Sequence, residues 1–406
     1  MLGWLLYAWP WLSGAVTIPW DAKSQFWPHF YFLARCLAMG ESPFWMPELF
    51  AGTAHVADPQ SFLFSPYFLA AARLVPEPSF RAFDALVLGL PLLGGAGVLL
   101  WSTARGVHPL AGLSAGLVFL AGGSVAWRLQ HVGQLHSLAV LPWLLWALDR
   151  TILGGSWRAA VASGVSAALL LAGRDQVALL GAYLAAGFVL WRWLEGPDRR
   201  GTIRRSLGPL VLAGLLAALL AAPPLLLTAL EAARSNRPEI DLEGAGRGSL
   251  HPALLLTLLT PHLFGSGGPM EAFWGPPSFA WPDTGLFIAQ NVGVLYPGAP
   301  AVLVLATVGS RLARSPDGWF LLAAAGLVLL YALGWYTPLF ALAWQVLPGV
   351  DLYRRPADAT FLLVLLLALL AGRALDRLLR EPPPRAFLRA ATAALAGLGL
   401  AAALAL

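Results

Sequence analysis

Apolar stretches long enough to cross a membrane recur along the whole chain, and this feature restricts the possible folds more than any other. A helix that crosses ~30 Å of hydrocarbon needs roughly 20 apolar residues. We expect about eleven such spans and a single all-α transmembrane domain over residues 1–406. The expected spans are 2–18, 83–104, 110–127, 137–152, 158–172, 176–194, 207–230, 292–309, 318–335, 359–379 and 386–406. The shortest of these are candidates for re-entrant segments.

The composition indicates a membrane protein and excludes several soluble classes. Of the 406 residues, 58% are hydrophobic and 12% are charged, whereas soluble domains are about half apolar and about a quarter charged. A disordered regulator and a nucleic-acid-binding domain are excluded on this basis. The single cysteine, Cys36, forms no intrachain disulfide, which excludes a secreted disulfide scaffold. The first stretch has neither a basic segment nor a cleavage site before Asp21, so we expect a retained helix.

The basic residues divide unevenly between two sets of connections. One set holds 15 basic and six acidic residues, a net charge of +9, and the rest of the chain has a net charge of −4. This set comprises the connections 105–109, 149–158, 192–206, 310–317 and 373–390. Because positive charge collects on cytoplasmic loops, the division predicts a cytoplasmic N-terminus. The strong excess of Arg over Lys is typical of a GC-rich bacterial genome, so we expect a location in the bacterial inner (plasma) membrane.

Two long loops on the outer side hold many of the polar side chains that could support chemistry. They are residues 19–81 and 231–291. We therefore expect any chemistry to take place at the outer face. The glycine-rich segment 265–268 in the second loop lacks the Lys of a nucleotide phosphate-binding loop. We interpret it as part of a mobile lid.

The first outer loop is predicted to contain a helix with two different faces. An apolar stripe with helical spacing is typical of a helix that lies along the membrane surface. The stripe consists of Phe26, Phe30, Leu33 and Leu37. Asp21, Gln25 and His29 recur every four residues on another face. Pro28 either kinks this helix or begins it.

Asp21 and Asp58 are the candidate catalytic carboxylates of this loop. Asp21 directly follows the first span, where a helix cap or an interfacial charge is the alternative interpretation. Asp58 precedes Pro59, and Asp before Pro favours turn initiation. The residues alone leave both alternatives open.

Three further places in the outer loops carry candidate binding residues. Arg354 and Arg355 could bind a phosphate through paired N–H donors, or could instead snorkel or pair with Asp351 or Asp358. Arg174 and Asp175 are most simply an internal ion pair, with substrate contact as the alternative. His131 and His136 are predicted on a short turn, where they could hydrogen-bond a sugar or a phosphate. Their surroundings lack the carboxylate expected of a zinc site, so no metal is expected there.

The first outer loop resembles the YfhO-like bacterial membrane proteins, a branch of the GT-C glycosyltransferase superfamily. The positions that match the family pattern are Asp21, Gln25, Arg35, Gly40, Pro43, Trp45, Pro47, Gly52, Asp58, Pro59 and Gln60. Met46 departs from the pattern, because the family usually has Asn there. Near the C-terminus, the segments 334–340, 347–349 and 352–357 are similar to further family elements. Asp358 stands where the family has an Arg, which reverses the charge at an expected anion site.

The resemblance implies a GT-C helix bundle that transfers a sugar from a polyprenyl-phosphate donor to a lipid or cell-surface glycan acceptor, with inversion. Asp21 would be the general base, with Asp58 as a second catalytic or supporting carboxylate. Arg354 and Arg355 would stabilise the leaving phosphate. The other implied substrate contacts are Gln25, Arg35, Gln60, His131 and Arg174. No cofactor is expected, although some members of the superfamily use a divalent metal.

The alternative function is a non-enzymatic transporter of lipid or polymer, or a membrane assembly factor. A transporter is expected to carry ionisable residues near the middle of its spans. Here the charges lie near the ends of the spans, which favours chemistry at the membrane interface. We therefore expect Asp21, Asp58, His131, Arg174 and Arg354 or Arg355 to converge on one outer cavity.

Overall fold

The computed structural model describes residues 1–236, 240–265, 272–381, 383, 385, 387–393 and 396–397, and within these residues the fold is built from helices. The α-helices are α1 (Leu2–Leu12), α2 (Trp27–Met39), α3 (Pro66–Leu74), α4 (Phe80–Ala104), α5 (Pro109–Ala121), α6 (Gly123–Ala126), α7 (Val132–Gly154), α8 (Trp157–Leu171), α9 (Gln176–Leu194), α10 (Arg199–Arg234), α11 (Leu242–Gly246), α12 (Ala299–Leu312), α13 (Pro316–Ala332), α14 (Pro338–Val346) and α15 (Thr360–Arg380). A π-helical turn, Ala22–Phe26, precedes α2, and 3-10 turns include Pro252–Leu258 and Pro356–Ala359. The prediction of an all-α protein is confirmed.

Five helices in the described part of the chain are long and apolar enough to cross a membrane. They are α4, α7, α9, α10, and α15 together with the 3-10 turn before it. The helices α12 and α13 make a sixth if they count as one span, bent by 118° at their junction. These helices are consistent with a helical membrane protein, whereas the expected count of about eleven spans is not confirmed.

Several other expected spans are shorter helices or lie mostly outside the described residues. The helix α1 has 11 residues, about 16 Å, and is followed by Gly14 with a φ of 83°, a left-handed conformation that ends helices. The helices α5 and α8 have 13 and 15 residues. Most of the expected span 386–406 lies outside the described residues.

The helix α15 lies at the centre of the bundle. Of its spanning window 83% is buried inside the protein, compared with 22% for α10 at the periphery. A helix that is apolar on every side is suited to such a position. The helices α4 and α5 meet at Gly95 and Gly116, where a Cβ on either residue would lie 2.9 or 2.8 Å from the carbonyl oxygen of the other. Small residues therefore allow this close helix contact.

Charged side chains join the helices at one end of the bundle. Asp149 accepts hydrogen bonds from Arg105 at 2.8 and 2.9 Å and pairs with Arg192 at 2.9 Å. Asp317 pairs with Arg105 and Arg373. These residues belong to the connections for which a cytoplasmic location is expected. From this network, α9 runs for 19 residues, about 28 Å, back to the outer loops.

The apolar stripe of the first outer loop packs against other parts of the protein, so the surface expected to face lipid is covered by the chain itself. The rings of Phe62, Phe68 and Phe83 surround Phe30, with centroids 5.5 to 6.4 Å away. Both Phe30 and Leu33 are fully buried. The stripe is covered because α3 and the start of α4 fold against α2.

Candidate functional site

The predicted outer loops enclose one polar cavity of about 380 Å³. Its walls come from the start of the π-helical turn, the 59–60 segment, the start of α7, the turn before α9 and the segment before α15. Seven of the nine candidate site residues line it: Asp21, Gln25, Gln60, His131, Arg174, Arg354 and Arg355. Asp58 lies next to the lining residue Pro59, and Arg35 is exposed on α2 and is not among the lining residues.

Asp21 directly precedes the π-helical turn, is partly exposed and lines the cavity. Its carboxylate has no hydrogen-bond or ion-pair partner within the described residues, so both of its oxygens are available to a bound molecule. The neighbouring chain is held in place by Asp84 of α4, which is buried. Asp84 accepts a hydrogen bond from Thr17 at 2.7 Å and pairs with Lys23. Residues before and after Asp21 are therefore both held by Asp84, which fixes the position of Asp21.

Gln25 and Gln60 close one wall of the cavity. The Nε2 of Gln60 donates to the Oε1 of Gln25 at 2.8 Å, which joins the two halves of the first loop. Asp58 Oδ1 accepts from the backbone N–H of Gln60 at 2.7 Å and so forms an Asx turn. This geometry matches the turn-forming alternative for Asp58, whereas Asp21 keeps an unpaired carboxylate at the cavity.

His29 lies outside the cavity, although it shares a predicted helix face with Asp21. Its ring is buried and stacks on that of His55, with centroids 5.1 Å apart. The Nδ1 of His55 lies 2.8 Å from the carbonyl oxygen of Pro43. Burial lowers the pKa of both rings, that of His55 to about 4. The helix α2 starts at Trp27 with Pro28 in its first turn, so the preceding π-helical turn changes the register of this face.

The segment containing Arg354 and Arg355 is held by its backbone. Gln176, oriented so that both ends of its amide are satisfied, donates to the carbonyl oxygens of Arg354 at 2.8 Å and Arg355 at 3.1 Å and accepts from Tyr331. Arg355 has a φ of 72°. Its Cα lies so close to Gly248 that a Cβ at Gly248 would be 2.2 Å away. These contacts leave both arginine side chains at the cavity.

Arg174 and Asp175 have separate partners, so the predicted ion pair between them is wrong. Arg174 Nη1 donates to Thr228 at 2.9 Å and to the carbonyl oxygen of Ala57 at 3.3 Å. Asp175 caps α9 and accepts from Ser137 at 2.7 Å. Burial lowers the pKa of Arg174 to about 10, so its guanidinium remains charged at neutral pH. Burial raises the pKa of Asp175.

The charge reversal at Asp358 is explained by Arg128, a residue that the sequence interpretation missed. Arg128 is completely buried, pairs with Asp358 and lies 4.2 Å from the ring centroid of Phe361. Gln134 donates to the second oxygen of Asp358 at 2.8 Å. The sequence feature that could have identified this residue is a single Arg between two apolar stretches. Arg128 is therefore occupied by Asp358. The cationic side chains that line the cavity are those of Arg174, Arg354 and Arg355.

The two candidate histidines of α7 occupy different environments. His131 stands at the N-terminal boundary of α7 and lines the cavity, and burial together with Arg128 lowers its pKa to about 3. It is therefore a neutral hydrogen-bonding group at physiological pH. His136 is buried within α7, 3.0 Å from the hydroxyl of Ser65, so its predicted place on a turn is wrong.

The cavity combines a free carboxylate with cationic and amide groups. Such a set can accept a proton from a hydroxyl and bind a phosphate and sugar hydroxyls at the same time. No group of three or more His, Cys, Asp or Glu side chains suited to a metal ion occurs within the described ranges. The glycine-rich lid predicted at 265–268 lies outside the described residues, apart from Gly265. Comparison with protein families, curated proteins and solved structures finds no match to this chain.

Proposed function

We propose that the protein is a membrane glycosyltransferase of the GT-C type, related to the YfhO-like proteins. It moves a sugar from a polyprenyl-phosphate donor to a lipid or cell-surface glycan acceptor. The observation that carries this proposal is the convergence of the unpaired Asp21 with Arg174, Arg354 and Arg355 on one cavity. These residues come from three parts of the chain that are far apart in sequence.

In the proposed reaction, Asp21 removes the proton of the acceptor hydroxyl. The acceptor oxygen attacks the anomeric carbon as the bond from that carbon to the phosphate oxygen breaks. The electron pair of this bond leaves with the polyprenyl phosphate, and the single displacement inverts the anomeric configuration. Asp21 retains the proton until it is released to solvent. A base in this role contributes about 10²- to 10⁴-fold to the rate.

The arginines at the cavity stabilise the leaving phosphate. Negative charge develops on the phosphate oxygens as the glycosidic bond breaks, and fixed cationic donors are most effective where such charge develops. Gln176 and Gly248 fix the backbone of Arg354 and Arg355, which keeps the bases of both side chains at the cavity. The amides of Gln25 and Gln60, with the neutral His131, provide hydrogen bonds for sugar hydroxyls. This reaction requires no cofactor.

Arg355→Ala tests the phosphate role. We expect its affinity for a polyprenyl phosphate to fall about 10-fold or more, since a charge-assisted hydrogen bond contributes about 1.5–3 kcal/mol. Arg355→Lys keeps the charge but loses the paired N–H donors, so it should lose less. Equilibrium binding in detergent micelles, with the dephosphorylated polyprenol as the reference ligand, measures this effect.

Arg234→Ala is the matched control, because Arg234 is exposed at the same end of α10 as Thr228, which accepts a hydrogen bond from Arg174. It should bind the polyprenyl phosphate with unchanged affinity. Equal affinities for the wild type and Arg355→Ala would remove Arg355 from the phosphate site.

We also propose that the cavity faces the periplasm or exterior, with the protein in the bacterial inner (plasma) membrane. In a Cys36→Ser background, a cysteine at the exposed Glu48 should react with a membrane-impermeant maleimide on intact cells. A cysteine at the exposed Arg314, which lies on the side of the ion network, should react only after permeabilisation. The reverse pattern would place the cavity in the cytoplasm.

A further inference from the structure

Three exposed arginines stand at the starts of two helices that pack together, at the end of the bundle opposite the cavity. Arg158 stands at the start of α8, and Arg200 and Arg204 stand in the first turns of α10. None of the three makes an ion pair or a side-chain hydrogen bond to any described residue. Each therefore presents a full set of guanidinium donors to its surroundings.

The packing of α8 on α10 brings together the helix starts that carry these arginines. Arg200, Arg204 and Gly208 are four residues apart and form one row along α10. The indole of Trp157 lies against Gly208, where a Cβ would be 3.2 Å from Cη2 of the indole. Arg158 follows Trp157 directly. We call Trp157, Arg158, Arg200 and Arg204 the basic corner.

The surface beside the basic corner changes from charged to apolar along α10. Leu207, Val211 and Leu215 continue along the helix and are 49%, 53% and 66% exposed. Because α10 is a membrane-spanning candidate at the periphery of the bundle, these exposed apolar side chains are suited to contact with lipid chains. Trp157 is 59% exposed, at the boundary where Trp is enriched in membrane proteins. The corner therefore lies at the level of lipid headgroups.

The acidic residues around the corner are engaged elsewhere. Asp198 caps α10 and lies 3.6 Å from Arg205, while Arg199 donates to the carbonyl oxygen of Leu194. Asp149 and Glu195 pair with Arg192. The charge of the basic corner is thus left for a partner outside the chain.

We propose that the basic corner binds the phosphodiester headgroup of an anionic phospholipid, whose acyl chains lie along the apolar row of α10. Guanidinium groups bind phosphate oxygens through paired N–H donors. Basic clusters next to a spanning helix attract anionic lipid with about 1 kcal/mol for each Arg. This site is separate from the cavity and does not depend on the proposed transfer reaction.

The test compares lipid retention by the whole purified chain. The protein is equilibrated in micelles with equal amounts of phosphatidylglycerol and phosphatidylcholine, and the retained lipids are counted by native mass spectrometry. The wild type should prefer phosphatidylglycerol, and a variant with Arg158→Gln, Arg200→Gln and Arg204→Gln should lose at least about tenfold of that preference. Replacing the same three residues by Lys should preserve most of it, because the charge is kept.

The matched control removes three positive charges elsewhere, at the exposed Arg314, Arg385 and Arg389. Its lipid preference should equal that of the wild type. An equal loss in the control and the test variant would show a general effect of net charge and would overturn the site. Loss of the preference in millimolar inorganic phosphate would assign the corner to a soluble anion and would also overturn the lipid assignment.

Discussion

Asp21→Asn should lower the rate of sugar transfer at least ~10²-fold while the protein stays folded. The substitution preserves the size of the side chain and removes its charge and basicity, so a general base loses its function. Because the Asp21 carboxylate has no partner in the described structure, its loss should leave the thermal unfolding temperature unchanged. Transfer is measured with reconstituted protein, and folding is measured by thermal unfolding of the same preparation.

Asp58→Asn provides the matched control in the same loop. The Oδ1 of Asn can accept the hydrogen bond from the backbone of Gln60, so the Asx turn survives. Transfer by this variant should stay close to that of the wild type. A large loss in Asp58→Asn together with full activity in Asp21→Asn would exchange the roles of the two carboxylates.

Asp358→Asn should reduce the free energy of unfolding by about 3–5 kcal/mol, because it leaves the charge of the buried Arg128 without its counterion. The double variant Arg128→Gln with Asp358→Asn removes the buried charge and should recover part of this loss. The free energy of unfolding is measured by titration with sodium dodecyl sulfate in mixed micelles.

Asp351→Asn is the control for this experiment, because Asp351 is an exposed acid seven residues earlier in the same loop. Its effect on the free energy of unfolding should stay within about 0.5 kcal/mol. If Asp358→Asn costs no more than Asp351→Asn, the pair with Arg128 does not stabilise the fold.

The helices were predictable from sequence because apolar runs are local signals. The expected spans 176–194 and 359–379 coincide closely with α9 and α15. The number of spans was less predictable, since helix ends and bends depend on single residues and on packing. Gly14 follows the end of α1, and the break between α12 and α13 bends the chain by 118°.

The cavity was foreseeable because loops on the same side of a bundle are brought together by helices of similar length. Successive spans place alternate loops on the same side of the membrane. This alternation alone puts Asp21, His131, Arg174 and Arg355 on one side. The structure places these four residues around one cavity. The partner that covers the apolar face of α2 was not foreseeable. An amphipathic helix has the same sequence pattern whether its apolar face, here at Phe30, packs against lipid or against protein.

The residues that support the site could not be predicted, because their partners are distant in sequence. Asp84 pairs with Lys23 across 61 positions, and Arg128 pairs with Asp358 across 230 positions. In sequence, each looks like a lone charge at the edge of an apolar stretch. Only the fold shows that Asp358 neutralises a buried arginine.

Transfer of labelled sugar is the measurement that tests the central proposal most directly. Wild-type protein in liposomes is incubated with polyprenyl phosphates that carry different labelled sugars, together with a cell-envelope fraction as acceptor. We predict that one donor loses its sugar to the acceptor, with release of an equal amount of polyprenyl phosphate, and that Asp21→Asn blocks both events. Transfer by Asp21→Asn at the wild-type rate, or binding of the donors by the wild type without any transfer, would contradict the proposal and favour a transporter or assembly factor.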